Sequence, residues 1–206
     1  MAQIAKRRRI DDCTEEGLFG PNGLMFGKIS TNEGIKAQGE FDNCQLINGR
    51  LFTDEFVAKG HYVEGLLLNG CRLHYAGPIY ETGNFYNNRL SEGIRISANE
   101  VYMGKFDEKH ELSKGVLIDK DISSGIFINN KLKEGVKIIN GITYRGNWSL
   151  NGEFLNGTKL YENGKIEQGK FEAGELVEGI TIMENGEIFK YDVNEDNESP
   201  KRGFPF

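Results

Sequence analysis

The sequence repeats a glycine followed two residues later by an aromatic ring, at an almost fixed interval. The glycines are Gly17, Gly39, Gly60, Gly83, Gly104, Gly125, Gly146 and Gly169, separated by 22, 21, 23, 21, 21, 21 and 23 residues. The rings are Phe19, Phe41, Tyr62, Phe85, Phe106, Phe127, Trp148 and Phe171. Eight or nine residues after each ring stands a second glycine: Gly27, Gly49, Gly70, Gly93, Gly115, Gly135, Gly157 and Gly179. Three residues beyond, an apolar side chain follows at Phe52, Leu73, Ile96, Ile118, Ile138, Leu160 and Ile182, and only Ser30 departs. A period of about 20–50 residues marks a repeat architecture, in which one small unit stacks on the next because none buries its apolar face alone.

Within a unit the pattern is that of strands. Val136-Lys137-Ile138 and Ile180-Thr181-Ile182 alternate with period two. Asn140-Gly141, Asn163-Gly164 and Asn185-Gly186 follow such segments. Asn-Gly there signals a two-residue hairpin turn, because both central residues of a type I′ turn need positive φ. A second turn is expected three residues after the ring, at Asn22, Gly65, Asn88, Asn130, Asn151 and Gly174, with Cys44 and Lys109 as exceptions. No window sustains a 3.6-residue period, so helix content is expected to be very low.

These features resemble the MORN repeat family. The resemblance rests on Gly-x-aromatic, the Gly or Asn three residues on, the second glycine and the unit length, and it is densest in "YENGKIEQGKFEAGELVEG", residues 161–179. It covers residues 17–191. Family members usually carry two glycines, seven and nine residues after the aromatic; here there is generally one, at the eighth. The resemblance implies an all-β fold: an elongated, twisted antiparallel sheet of stacked β-hairpins. The flanking segments 1–16 and 192–206 are polar and are expected to be charged or polar tails, with Phe204-Pro205-Phe206 as packing or docking residues.

Side chains alternate across a strand, so the eight rings are expected on one face, each meeting the ring or the isoleucine of the next unit. The glycine before each ring is expected to leave room for a neighbouring ring on the backbone. The opposite face carries His61 and Val63, Asn84 and Tyr86, Lys105 and Asp107, Ile126 and Ile128 in the middle units. His61, Val63, Tyr86, Ile126 and Ile128 are the candidate partner-binding residues, because bulky or apolar groups gathered where solvent is expected suggest a partner surface. The competing reading is that the sheet curls, or the tails fold, to cover them.

Other chemistry finds little support. Net charge is −6, which gives no general attraction to nucleic acid or anionic lipid. No apolar run reaches the ~20 residues of a membrane helix, and no apolar segment follows the basic N-terminus as in a secretory leader. Cys13, Cys44 and Cys71 have no metal spacing and read as free thiols of a reducing compartment. His61, His74 and His110 lack ligand spacing, so no metal or cofactor is expected. Carboxylates such as Glu92, Glu134 and Glu178 precede second glycines as turn residues, and no catalytic residue is assigned. Lys6-Arg7-Arg8-Arg9 reads as a nuclear-import signal, an electrostatic foot or a solvated tail.

The expectation is a non-catalytic intracellular scaffold or adaptor, cytoplasmic or nuclear, that binds another protein, or itself, through an extended β-sheet surface. Peripheral membrane contact in an assembly, or an unrecognised enzymatic site, is the alternative. Phe127→Ala is expected to cost ~3–5 kcal/mol, the range for a large ring lost from a core, read as a fall in the denaturant midpoint.

Overall fold

The protein is described by a computed structural model, which covers residues 5–192 and 201–202. Phe204-Pro205-Phe206 lie outside these described residues. The chain divides into two units, residues 1–99 and 100–206. In the first, the strands are β1 (Ala5–Ile10), β2 (Cys13–Gly20), β3 (Gly23–Thr31), β4 (Gly34–Asp42), β5 (Gln45–Phe52), β6 (Phe56–Val63), β7 (Leu66–His74), β8 (Tyr80–Tyr86) and β9 (Arg89–Ile96). The second holds β10 (Val101–Phe106), β11 (Leu112–Ile118), β12 (Ile122–Ile128), β13 (Lys131–Ile139), β14 (Ile142–Trp148), β15 (Phe154–Leu160), β16 (Ile166–Glu172), β17 (Glu175–Ile182), β18 (Ile188–Asp192) and β19 (Lys201–Arg202). Inside each unit every strand pairs antiparallel with the next in chain order. The fold is all-β, a run of stacked hairpins, with no helix among the described residues.

The register is set by glycine. Each strand from β2 to β17 carries one of the sixteen repeat glycines, and within a unit each glycine stands opposite the next. Gly17, Gly27, Gly39, Gly49, Gly60, Gly70, Gly83 and Gly93 form one ladder. Gly104, Gly115, Gly125, Gly135, Gly146, Gly157, Gly169 and Gly179 form the other, which ends at Tyr191 on β18. The pair Gly125–Gly135 shows why. Its φ values are +154° and +146°, a mirror-image extended conformation that side chains do not tolerate. A Cβ on Gly125 would lie 2.8 Å from the Gly135 Cα and closer still to the Glu134 carbonyl oxygen. The space is therefore filled by the backbone of the paired strand. It does not receive a neighbouring ring, as the sequence had suggested.

Seven of the eight rings are buried, and Phe19 is half-buried. Each stands opposite an apolar residue across its turn. Phe19 faces Leu24, Phe41 faces Leu46, Tyr62 faces Leu67, Phe85 faces Leu90, Phe106 faces Leu112, Phe127 faces Leu132, Trp148 faces Phe154 and Phe171 faces Leu176. A one-residue bulge follows each of these partners. The expectation that ring meets ring needs correction: among the described residues it holds only around Trp148–Phe154 (5.0 Å) and Phe154–Phe171 (4.9 Å). Elsewhere leucine separates the rings. The isoleucines three beyond the second glycine are displaced by an odd number of residues, so they point to the other face.

The two-residue turns with both φ positive are mostly on the ring side: Asn43-Cys44, Glu64-Gly65, Asn87-Asn88, Asn129-Asn130 and Ala173-Gly174. Asn140-Gly141 is one too, but at Asn163-Gly164 and Asn185-Gly186 only the glycine has positive φ. There the Gly164 N–H donates to the Tyr161 carbonyl and the Gly186 N–H to that of Met183, closing a longer loop. Asparagine has a second use on the ring side. Asn88 Oδ1 accepts the Leu67 N–H at 3.0 Å, and Asn130 Oδ1 accepts that of Leu112 at 2.6 Å, tying one hairpin to the preceding one.

Two segments expected as tails are partly strand. Residues 5–16 form β1 and the start of β2, paired from Ala5↔Leu18 to Ile10↔Cys13. Lys201–Arg202 pairs with β18. No helix of the described residues is long and apolar enough to cross a membrane.

Gly125→Ala is expected to lose about 3 kcal/mol or more, since forbidden φ and backbone collision add. The neighbouring exposed Ser124→Ala is expected to stay within about 0.5 kcal/mol. Denaturant titration of the two variants measures both.

Candidate functional site: two faces of the sheet

On the ring side a second stripe lies two residues from each ladder glycine, and at three places it holds a carboxylate. Glu15, Glu81 and Glu167 each stand four residues before a ring, in the segments EEGLF, ETGNF and EQGKF. The residue directly opposite on the preceding strand is a cation: Arg8, Arg72 and Lys159. Each cation also lies over the ring that follows, at 4.8 Å from the Phe19 centroid, 5.2 Å from Phe85 and 4.5 Å from Phe171. Cation and ring attract through the ring's quadrupole, more strongly when desolvated. The sequence reading passed over this device. The Glu-x-Gly-x-aromatic string was legible, but its partner across the sheet was not.

The central cluster is the most elaborate. Glu81 is 2 % exposed. Its Oε2 accepts Arg72 Nη2 at 2.5 Å and Nε at 3.1 Å, and its Oε1 accepts Arg95 Nε at 3.0 Å. His74 Nε2 lies 3.4 Å from Oε2. Arg72 Nη1 donates to the Asn88 carbonyl at 2.8 Å. Burial pushes the Glu81 carboxyl up, but the hydrogen bonds and charges of Arg72 and Arg95 outweigh it and hold it below its ordinary value.

The second cluster repeats the plan with lysine. Lys159 is 4 % exposed, donates to the Gly174 carbonyl and lies 3.8 Å from Glu167. Burial lowers its pKa. Glu167 also receives the Tyr161 hydroxyl at 2.7 Å and Lys165 Nζ at 2.7 Å. Burial raises the Glu167 carboxyl and these donors overcome it, while burial and donation to Glu167 raise the Tyr161 phenol. Carboxylates held ionised by cations are poor proton donors at neutral pH, and both cations are committed to oxygens. The two clusters are joints. Among the described residues no group of three or more His, Cys, Asp or Glu side chains could hold a metal ion.

The other face carries exposed apolar rows among polar residues. In the second unit one row of directly opposed residues runs Val101, Ile118, Ile122, Ile138, Thr143, Leu160, Ile166, Ile182, Ile188. Ile122 is 47 % exposed and Leu160 44 %. On β10 to β13 a parallel row of Met103, Val116, Ser124 and Val136 widens it. The first unit has a shorter row of Phe52, Val57, Leu73, Tyr80 and Ile96.

The sequence-selected residues all lie exposed on this face. His61 and Val63 are on β6 and Tyr86 is on β8 of the first unit, with Tyr86 72 % exposed. Ile126 and Ile128 are on β12 of the second unit. The two groups belong to different units. Val63 is paired with Leu66 and His61 with Asn69, while Ile126 lies between Lys114 and Glu134. The longer isoleucine row was missed because those residues were assigned to the ring side. Lys6, Arg7, Arg8 and Arg9 are on β1, with Arg8 bound to Glu15.

No family model matches the chain, and no curated protein matches it.

Glu81→Gln is expected to cost ~3–5 kcal/mol by leaving Arg72 and Arg95 without their counter-charge. Because the folded Glu81 pKa is depressed, its contribution is present above the unfolded value of ~4.3 and disappears as pH falls through the folded value. Acid titration of wild type and variant by circular dichroism should show a shallower acid dependence in the variant.

Proposed function

We propose that the chain is a non-catalytic, MORN-type repeat module that binds another protein through the face opposite its rings. The observation that carries this reading is the isoleucine row of the second unit, an apolar strip left in contact with water although the chain has a separate, well-filled ring side. Monomeric proteins rarely expose a contiguous strip of this kind without a use for it. Flat rows of β-branched side chains suit a broad, shallow contact, to which each added hairpin contributes length without a pocket. The regular glycine spacing and the ring at each second position support the family likeness. The ionic clusters contribute rigidity, since they clamp neighbouring hairpins without offering reactive groups.

The test is co-purification from native extract with two variants. Ile122→Asp plus Ile138→Asp alters the strip, and Tyr86→Asp alters the first unit. The first variant is expected to lose a partner that wild type retains, with circular dichroism unchanged. Retention of every partner by a folded double variant would contradict the assignment of this face.

A further inference from the structure

The remaining feature is β1. Its six residues, AKRRRI, are all exposed, and within the first unit it pairs with β2 alone. Its second edge therefore presents a row of backbone N–H and C=O groups in regular strand geometry, a template for one more strand.

The charges on that edge decide what it can accept. Arg8 lies opposite Glu15 on the ring side and is held there by that carboxylate and by Phe19. Glu16, opposite Arg7, is bound instead to Lys28 at 3.1 Å. Glu15 is thus taken by Arg8 and Glu16 by Lys28, so neither carboxylate neutralises Lys6, Arg7 or Arg9. Lys6 and Arg7 make no ion pair among the described residues, and Arg9 reaches only the Asp11 carbonyl, at 3.2 Å. Alternation puts Lys6 beside Arg8 on the ring side, and Arg7 and Arg9 on the other. A strand added here meets cations on both of its faces. Two copies joined β1 to β1 would set these cations against each other, which is destabilising.

We infer that the outer edge of β1 docks an extended acidic segment of another protein by β-strand addition. Backbone hydrogen bonds supply the pairing and Lys6, Arg7 and Arg9 select for Asp and Glu. The inference is independent of the isoleucine face.

The test measures fluorescence anisotropy of the full chain with blocked peptides of about eight residues. One alternates Glu and Thr, a second has Lys for Glu, and a third is the acidic peptide with alternate amides N-methylated, made in both phases. A single-stranded oligonucleotide is the fourth probe. The acidic peptide is expected to bind at least about tenfold tighter than the lysine peptide and than at least one N-methylated phase. Arg7→Glu plus Arg9→Glu, which leaves Arg8 in place, is expected to lose about tenfold with an unchanged thermal midpoint. Absence of acidic-peptide binding overturns the proposal. Equal binding by both N-methylated phases shows attraction by charge without strand pairing and also overturns it, as does tighter binding of the oligonucleotide. The wild-type peptide series decides the matter even where the double variant fails to fold.

Discussion

The structure depends on two backbones meeting where neither has a side chain. In each ring hairpin two ladder glycines, all but Gly60 in mirror-image extended conformation, lie against each other. The space that a Cβ would need is occupied by a carbonyl oxygen and a Cα. Neither condition alone is unusual: glycine tolerates positive φ anywhere, and close approach occurs wherever chains cross. Their coincidence in the ring hairpins makes the register within a hairpin a consequence of composition. A hairpin shifted by one residue would put a side chain into its neighbour's backbone, so alternative pairings are excluded by sterics before any packing is considered.

The ring side follows from that register. With glycines aligned, the ring two residues on meets a leucine or phenylalanine across the turn, and the residue two before meets its opposite number on the preceding strand. At Glu15, Glu81 and Glu167 this second meeting is ionic. Buried ion pairs add little net stability over well-packed apolar groups, but breaking one is costly. Their contribution here is to penalise misregister: a one-residue slip would leave Arg72 and Glu81 without each other and send one to solvent. The asparagine turns act in the same direction, since Asn88 and Asn130 bond backbone groups of the preceding hairpin. Successive hairpins are thereby coupled by ionic and hydrogen-bonded contacts that require the same alignment.

Much of this was legible because a fixed period transmits position. Gly-x-aromatic located every strand that precedes a ring-side turn, and Asn-Gly at Asn140-Gly141 named its turn correctly. What escaped the sequence was anything that depends on the neighbour across the sheet. Leu90 and Leu132 are plain in the string, but only pairing shows that they, and not further rings, cover Phe85 and Phe127. Ile138 was assigned to the ring side because the one-residue bulge between Leu132 and Glu134 changes phase after the turn, which alternation alone does not reveal. Arg8 looked like part of a solvated charge run because its carboxylate and ring lie on the next strand. Tyr86, Ile126 and Ile128 are exposed, and the continuous isoleucine row lies elsewhere on the same face.

The division of labour between faces has a functional consequence. The ring side is closed by its own contacts, whereas the isoleucine row and the basic edge of β1 are exposed, and both presuppose the glycine alignment. That alignment is measured most directly by nuclear Overhauser effects between glycine α protons in a deuterated, glycine-protonated sample. The account predicts cross-strand α–α contacts for Gly104 with Gly115, Gly125 with Gly135, and Gly146 with Gly157. Contacts that instead join each of these glycines to a residue one position removed, or no glycine–glycine contacts at all, would contradict it.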